Sequence, residues 1–362
     1  MSRNLFPLSL TATLMAGTAM ADVPRVAVDI APVHSLVARV MQGVGEPSLI
    51  VQPGASPHEY SLRPSEAGAL QDADIVFWVG EDLTPWMAGA VETLAGEADV
   101  TTLLEVDGVT LLDFREGALF EAHSHDHGDH DHHHEEHAEA EAHDHDHEEH
   151  AEAETHDHDH DHEEHADEHD HDHEHEEHAE AEAHDHDHDH AHGAHDPHAW
   201  LSPDNAVVWL DAIAAKLSAA DPDNAGAYFG NAAAAKQELA AVSAEINATL
   251  EPVRGMSFVV FHDAYQYFET AFDFPASGAI SLSDATDPSP ARIAEIQGRI
   301  AEEGIDCVLA EPQFDPGIVA TVMDGTEAST AVLDPLGSDL EPGPDLYPQL
   351  LRNLATSLAG CL

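Results

Sequence analysis

Residues 74–80 read DIVFWVG, five large apolar side chains in succession bounded by an acid and a glycine. A strand with one solvated face alternates apolar and polar residues, so an unbroken run this short marks a strand covered on both faces. Outward from it the pattern repeats. PRVAVDI at 24–30 is a second such run and leads into helical spacing at Val33, Leu36, Val37 and Val40. SLIV at 48–51 is a strand. Pro64, suited to a first helical turn, opens a helix with Ala67 and Leu70 turned inward. Another helix spans 84–94, and TLLEV at 102–106 is the next strand. Strands alternating with helices imply a parallel sheet covered by helices, the α/β class.

The same rhythm resumes beyond residue 196. Ser202-Pro203 caps a helix carrying Val207, Val208, Leu210 and Ile213. Asp221-Pro222 opens another that runs to Leu250, with Leu239, Val242, Ile246 and Leu250 at helical spacing. At about 1.5 Å per residue it is long enough to bridge two lobes, unless Gly226 or Gly230 breaks it in two. Strands follow at 257–261, 277–283, 306–312 and 330–336, with helices at 265–272, 290–303 and 346–358. The expected architecture is two α/β lobes, each a parallel sheet flanked by helices, joined by a long helix. Strand ends face the cleft between them, where such folds place ligands.

Between the two halves the composition changes abruptly. Residues 121–195 contain 28 of the chain's 32 His and 31 of its 72 acids, no Lys or Arg, and nothing apolar larger than Ala. EEHAEAEAHDHDH begins at 135 and recurs nearly unchanged at 148 and 176. Such repeats bury too little surface to offset chain ordering, so the tract is expected to be a disordered insert. With 11 Lys plus Arg and a formal charge of −61, the chain is unsuited to nucleic acid or an anionic lipid surface. A cation suits it.

The first 21 residues read as a secretory leader: Arg3, then an apolar and small-residue stretch, then Ala19-Met20-Ala21 as a cleavage pattern. Cleavage after Ala21 places the mature chain in the periplasm. In an exported protein the two cysteines, Cys307 and Cys361, read as a disulfide tying the last helix to the 306–312 strand; two buried free thiols are the alternative.

Outside the tract four histidines remain. His34 lies on a helix among Val33, Leu36 and Val37 and is read as structural. His58 stands in the turn-rich GASPHEY after the 48–51 strand, His198 in DPHAW, and His262 at the end of the 257–261 strand. Three imidazoles converging on a cleft from distant parts of the chain suit Zn²⁺ rather than the oxygen cages of Ca²⁺ or Mg²⁺. A nucleophile elbow for acyl-transfer chemistry is missing.

GASPHEYSLRPS at 54–65, DPHAWLSP at 196–203, FHDAYQYF at 261–268 and AEPQF at 310–314 resemble the zinc-binding component of bacterial ABC importers, the ZnuA type. The resemblance implies two lobes on a rigid backbone helix, with the metal held between them by His58, His198 and His262. It implies zinc over manganese, because manganese-type relatives carry a carboxylate where His262 stands. It also implies a Cys307–Cys361 bridge and a His-rich loop where this tract falls. For the fourth coordination position the candidates are Glu311, Glu59 or water, with Glu311 equally read as an acceptor for an imidazole N–H rather than a ligand; the acid that one variant places before the first His is Pro57 here. Asp263 and Tyr265 are expected to orient His262, and Trp200 and Tyr60 to pack.

The chain thus divides into a leader at 1–21, a first lobe at 22–220 containing the 121–195 insert, a linking helix at 221–252 and a second lobe at 253–362. The expected function is capture of Zn²⁺, as a transported ligand rather than a catalytic cofactor, by a monomer that delivers it to an inner-membrane ABC permease. The insert is read as a low-affinity zinc trap, with a repeat expansion of incidental affinity as the alternative. Other readings are a periplasmic zinc buffer that exchanges metal with other zinc chaperones, and a zinc hydrolase.

Overall fold

The computed structural model describes residues 23–115, 120, 195–281 and 288–362. The leader, and the insert apart from His195, lie outside the described residues. In the first half β1 (Val26–Val28), β2 (Ser48–Leu49), β3 (Ile75–Trp78) and β4 (Asp99–Thr102) alternate with α1 (Ala31–Val40), α2 (Pro64–Gln71) and α3 (Pro85–Leu94). Two helices follow, α4 (Pro203–Ala220) and α5 (Ala225–Leu250). The second half carries β5 (Phe258–His262), β6 (Gly278–Ser281), β7 (Cys307–Ala310) and β8 (Ser329–Val332). Its helices are α6 (Gln266–Phe272), α7 (Pro290–Glu303), α8 (Pro316–Met323) and α9 (Leu346–Cys361).

Both sheets are parallel and have the same order, β2-β1-β3-β4 and β6-β5-β7-β8. Side-chain alternation along the central strands assigns each residue to one of two layers. Val26, Val28, Ile75 and Phe77 of the first sheet enter the same core as Phe258, Val260, Cys307 and Leu309 of the second. Ala27, Val76 and Trp78 face α2 and α3, while Val259, Phe261 and Val308 face α7 and α8. The shared layer is built by α1, α4, α5 and α9. The second half therefore has no interior of its own on that side.

The linking helix is continuous. Its 26 residues, roughly 39 Å at 1.5 Å per residue, run through Gly226 and Gly230 without a break and bury Leu239, Val242, Ile246 and Leu250. α9 returns beside α5, and Tyr347 reaches the first half: its N–H donates to Ser35 Oγ at 2.9 Å and its hydroxyl to the Trp200 carbonyl at 2.6 Å.

Four local expectations are corrected. The strand expected at 102–106 lies at Asp99–Thr102; Leu103 and Leu104 instead form a 3-10 turn and drop into the shared core. A sheet edge accepts the polar stretch, whereas the two leucines gain more by burial. On α2 the buried position beside Leu70 is Glu66, not Ala67; its carboxylate accepts from the Tyr60 hydroxyl at 2.8 Å and Arg63 N–H at 2.7 Å. α8 is an element the periodicity reading missed, although Asp315 caps it and Pro316 occupies its first position. His195, assigned to the insert, is an ordered residue paired with Asp113.

Cys307 and Cys361 are bonded, closing a separation of 54 residues and fixing the end of α9 to β7. A loop of that length gives roughly 4 kcal/mol in the chain-entropy treatment. The double variant Cys307→Ala, Cys361→Ala should lose about that much in urea unfolding of the metal-free protein, read as a lower midpoint with a somewhat steeper slope because the unbridged denatured chain is less compact.

Candidate metal centre

Parallel sheets of this order reverse direction between their two central strands, leaving a crevice at the carboxyl ends. In the second sheet that point lies between β5 and β7. His262 is the last residue of β5 and Glu311 directly follows β7. The Glu311 carboxylate lies 2.8 Å from His262 Nδ1 and also accepts the His262 backbone N–H at 3.2 Å. His198 sits in the turn before a 3-10 segment at Ala199–Leu201. Its Nδ1 is 2.7 Å from Asp196 Oδ1, which also accepts its backbone N–H at 2.9 Å. His58 comes from the loop after β2, in a segment fixed where Trp86 Nε1 donates to the Pro57 carbonyl at 2.7 Å.

The three rings meet. One nitrogen from each of His58, His198 and His262 lies within 4.8 Å of the others, and the ring centroids are 5.4 Å apart for His58 and His198 and 5.3 Å for His198 and His262. His198 and His262 are buried, and His58 is half-buried. Among the described residues these three make up the cluster of His, Cys, Asp and Glu suited to a metal ion. A carboxylate on Nδ1 makes that nitrogen the proton carrier and leaves Nε2 its lone pair, the arrangement that prepares a histidine for coordination. They enclose a cavity of ≈ 10 Å³, walled by Pro57, Trp200, Phe314 and Leu336. That is room for about one water.

The remaining site expectations resolve as follows. Glu311 stands behind His262, outside the three-histidine cluster. Glu59 is exposed. Asp263 does not orient His262, because its carboxylate turns to Arg115, which donates through Nε at 3.0 and 3.1 Å. Tyr265 lies edge-on to His262, ring centroids 6.3 Å apart, with its hydroxyl donating to the Leu333 carbonyl at 3.1 Å and facing Glu311; Glu311 holds His262 Nδ1. Trp200 packs against His198 at 5.2 Å and donates to the Pro335 carbonyl, and Tyr60 packs on Trp86. His34 lies apart on α1, its Nε2 3.0 Å from the Pro47 carbonyl; burial holds its imidazole below the ordinary range.

Two residues escaped the sequence reading. Asp196 had a signal, an acid two positions before His198, and Arg115 is the last cation before the tract. Arg115 also donates to both oxygens of Glu269, at 2.8 and 3.0 Å, and lies over the Phe120 ring. Tyr267 ties the same segment to α6, donating to the Asp196 carbonyl at 2.8 Å and accepting from Leu112 N–H at 3.0 Å.

The electrostatics favour a cation. Burial pushes Asp196 up to about 7 and raises Glu311, against the pull of His262. Asp263 and Glu269 are raised by burial too, with Arg115 drawing them back. Burial opposes the Arg115 charge, but its ion pairs outweigh it and hold the guanidinium above its ordinary range. One guanidinium serves this group of buried acids, so a dication nearby offsets part of their desolvation cost. Elsewhere every described Lys and Arg faces a carboxylate, which leaves no free basic patch among the described residues.

Comparison with known proteins agrees with this geometry. The family described as zinc-uptake complex component A, periplasmic, matches residues 26–361. The high-affinity zinc uptake system protein ZnuA of Brucella abortus is 44% identical over 364 residues, covering 99% of this chain and 99% of its own. That of Paracoccus denitrificans is 44% identical over 361 residues, covering 98% of each. A crystal structure of ZnuA has the same fold, with a TM-score of 0.65 at 18% identity over 94% of this chain and 99% of that one.

Replacing Arg115 with Met leaves Asp263 and Glu269 buried and unpaired, at a cost of about 3–5 kcal/mol. Their folded-state pKa values then rise further above the unfolded ones, so stability is lost as pH rises. The deficit in urea midpoint should therefore be largest at pH 8 and shrink toward pH 4, measured in chelator.

Proposed function

Because the chain belongs to the family of periplasmic component A of zinc-uptake complexes, we propose that it captures Zn²⁺ through His58, His198 and His262 and delivers it to an ABC-type permease in the inner membrane. The convergence of the three imidazoles carries this reading. Nitrogen donors in a tetrahedral arrangement suit Zn²⁺, and a set without a carboxylate disfavours Mn²⁺. Glu311 and Asp196 act from behind as acceptors that hold His262 and His198 in register. The fourth coordination position goes to solvent.

The protein works by ligation and release, not by covalent chemistry. A hydrolase built on a zinc-bound water needs a positioned base and a substrate pocket beside the ion; hydrolytic turnover at neutral pH by the zinc-loaded protein would favour that reading instead. Residues 1–21 are read as a leader removed on export, and no described helix is long and apolar enough to cross a membrane. The chain then divides into a lobe at 22–220 with the tract at 121–195, a linking helix at 221–252 and a lobe at 253–362. The protein acts as a monomer and exchanges zinc with other periplasmic chaperones. The tract collects zinc weakly at many sites and raises its concentration near the cleft. A periplasmic buffer without a permease is the competing reading; growth under zinc starvation that depends on the permease gene as well as on this protein separates the two.

In competitive zinc titration the mature protein should show one tight equivalent plus weaker ones, and the tight one should survive removal of residues 121–194. His262→Ala should abolish it, and an intact tight equivalent in that variant would reject the site. Glu311→Gln should weaken it about 10–100-fold. Because each ring must give up its proton to bind metal, affinity should fall from pH 7.5 to pH 5.5, with proton release on binding in a weakly buffered titration.

A further inference from the structure

Gln313 lines the same cavity as the three imidazoles, in the turn between β7 and α8. Its amide is oriented by two acceptors from the segment after β8: Nε2 donates to Asp334 Oδ1 at 3.2 Å and to Ser338 Oγ at 3.1 Å. Asp334 is fixed in turn, accepting from the N–H groups of Leu336 at 3.0 Å and Ser338 at 2.5 Å. With its NH₂ group committed, the carboxamide cannot flip without facing Nε2 away from both acceptors. That leaves Oε1, a buried acceptor with no hydrogen-bond donor in reach among the described residues. Buried acceptors left in this state are costly and rare.

Three imidazoles leave a tetrahedral ion one position short. The cavity opens to solvent, so a water can reach an ion held by the three rings. A water on Zn²⁺ is a strengthened donor, since the ion draws charge from its oxygen. A carboxamide oxygen is a poor direct ligand for this metal, because carbonyl donors suit harder cations. The missing donor and the missing ligand are therefore one molecule.

We infer that Gln313 is a positioning residue that accepts a hydrogen bond from the metal-bound water completing the zinc shell, and that it thereby selects a donor-bearing fourth ligand over an anion. This rests on the reading of the three histidines as zinc ligands. An anion such as azide has no proton to offer Oε1 and meets its lone pairs instead, so the native site should resist it.

The test uses the full mature chain and its Gln313→Leu variant, with Gln313→Met as the substitute should the leucine variant fail to melt cooperatively in chelator. Zinc affinity of the tight equivalent is read by chelator competition. Azide affinity is read from the visible absorption of protein carrying one equivalent of Co²⁺. The expected result is a loss of about tenfold or more in zinc affinity together with tighter azide binding. Unchanged zinc affinity overturns the inference. Weakened zinc binding with unchanged azide affinity also overturns it, because that pattern belongs to a residue that merely braces the turn. A native protein with no tight equivalent would instead reject the three-histidine site itself.

Discussion

On one face the two sheets share a single interior. Each sends one face of its central strands into a single apolar layer built by α1, α4, α5 and α9, and that shared burial is the constraint on which the site depends. A cluster whose nitrogens lie within 4.8 Å of one another tolerates little drift between the halves that supply them, since coordination fixes metal–ligand distances within a few tenths of an ångström. An ordinary two-domain protein joined by a loop would have to rely on the metal itself to set that spacing. Here close-packed side chains set it, and the disulfide at the end of α9 anchors the same layer to β7.

Onto that frame the chain adds a second layer of control, in which carboxylates are spent on imidazoles rather than on the ion. Asp196 and Glu311 hold Nδ1 of His198 and His262, so the carboxylates lie behind the rings and the other ring nitrogen of each faces the cluster. A direct carboxylate would favour harder cations; set back, the same charge lowers the energy of a dication without changing the donor set. Asp263 and Glu269, committed to Arg115, keep the turn after β5 in place instead of competing for metal.

Most of this was legible where chemistry and periodicity coincide. Buried strands announce themselves as short apolar runs, and His58, His198 and His262 stood out because they end strands or occupy turns while His34 sits on a helix face. The edge strand β4 was misplaced because Val100 is its one apolar residue among Asp99, Thr101 and Thr102, whereas Leu103 and Leu104 carry a stronger signal that serves the core. Orientation was the least legible property. Asp263 adjoins His262 in sequence yet points to Arg115, 148 positions away. Glu311, 49 positions off, takes the contact instead, because neighbouring strands in a parallel sheet bring distant residues together and successive side chains on one strand diverge.

The Asp113–His195 bridge, with the two side chains 3.0 Å apart, has a further meaning for how this chain can change over generations. It brings the point where the His-rich tract departs to within one β-bridge of the point where it returns. Chain inserted between two residues that are already paired lengthens cheaply, at roughly 0.6 kcal/mol for each doubling of its length. Repeat units can therefore be gained or lost between these two residues by slippage in the gene, and the folded body barely registers the difference. The length of the tract becomes a quantity that selection can adjust on its own, without altering the residues that build the cleft.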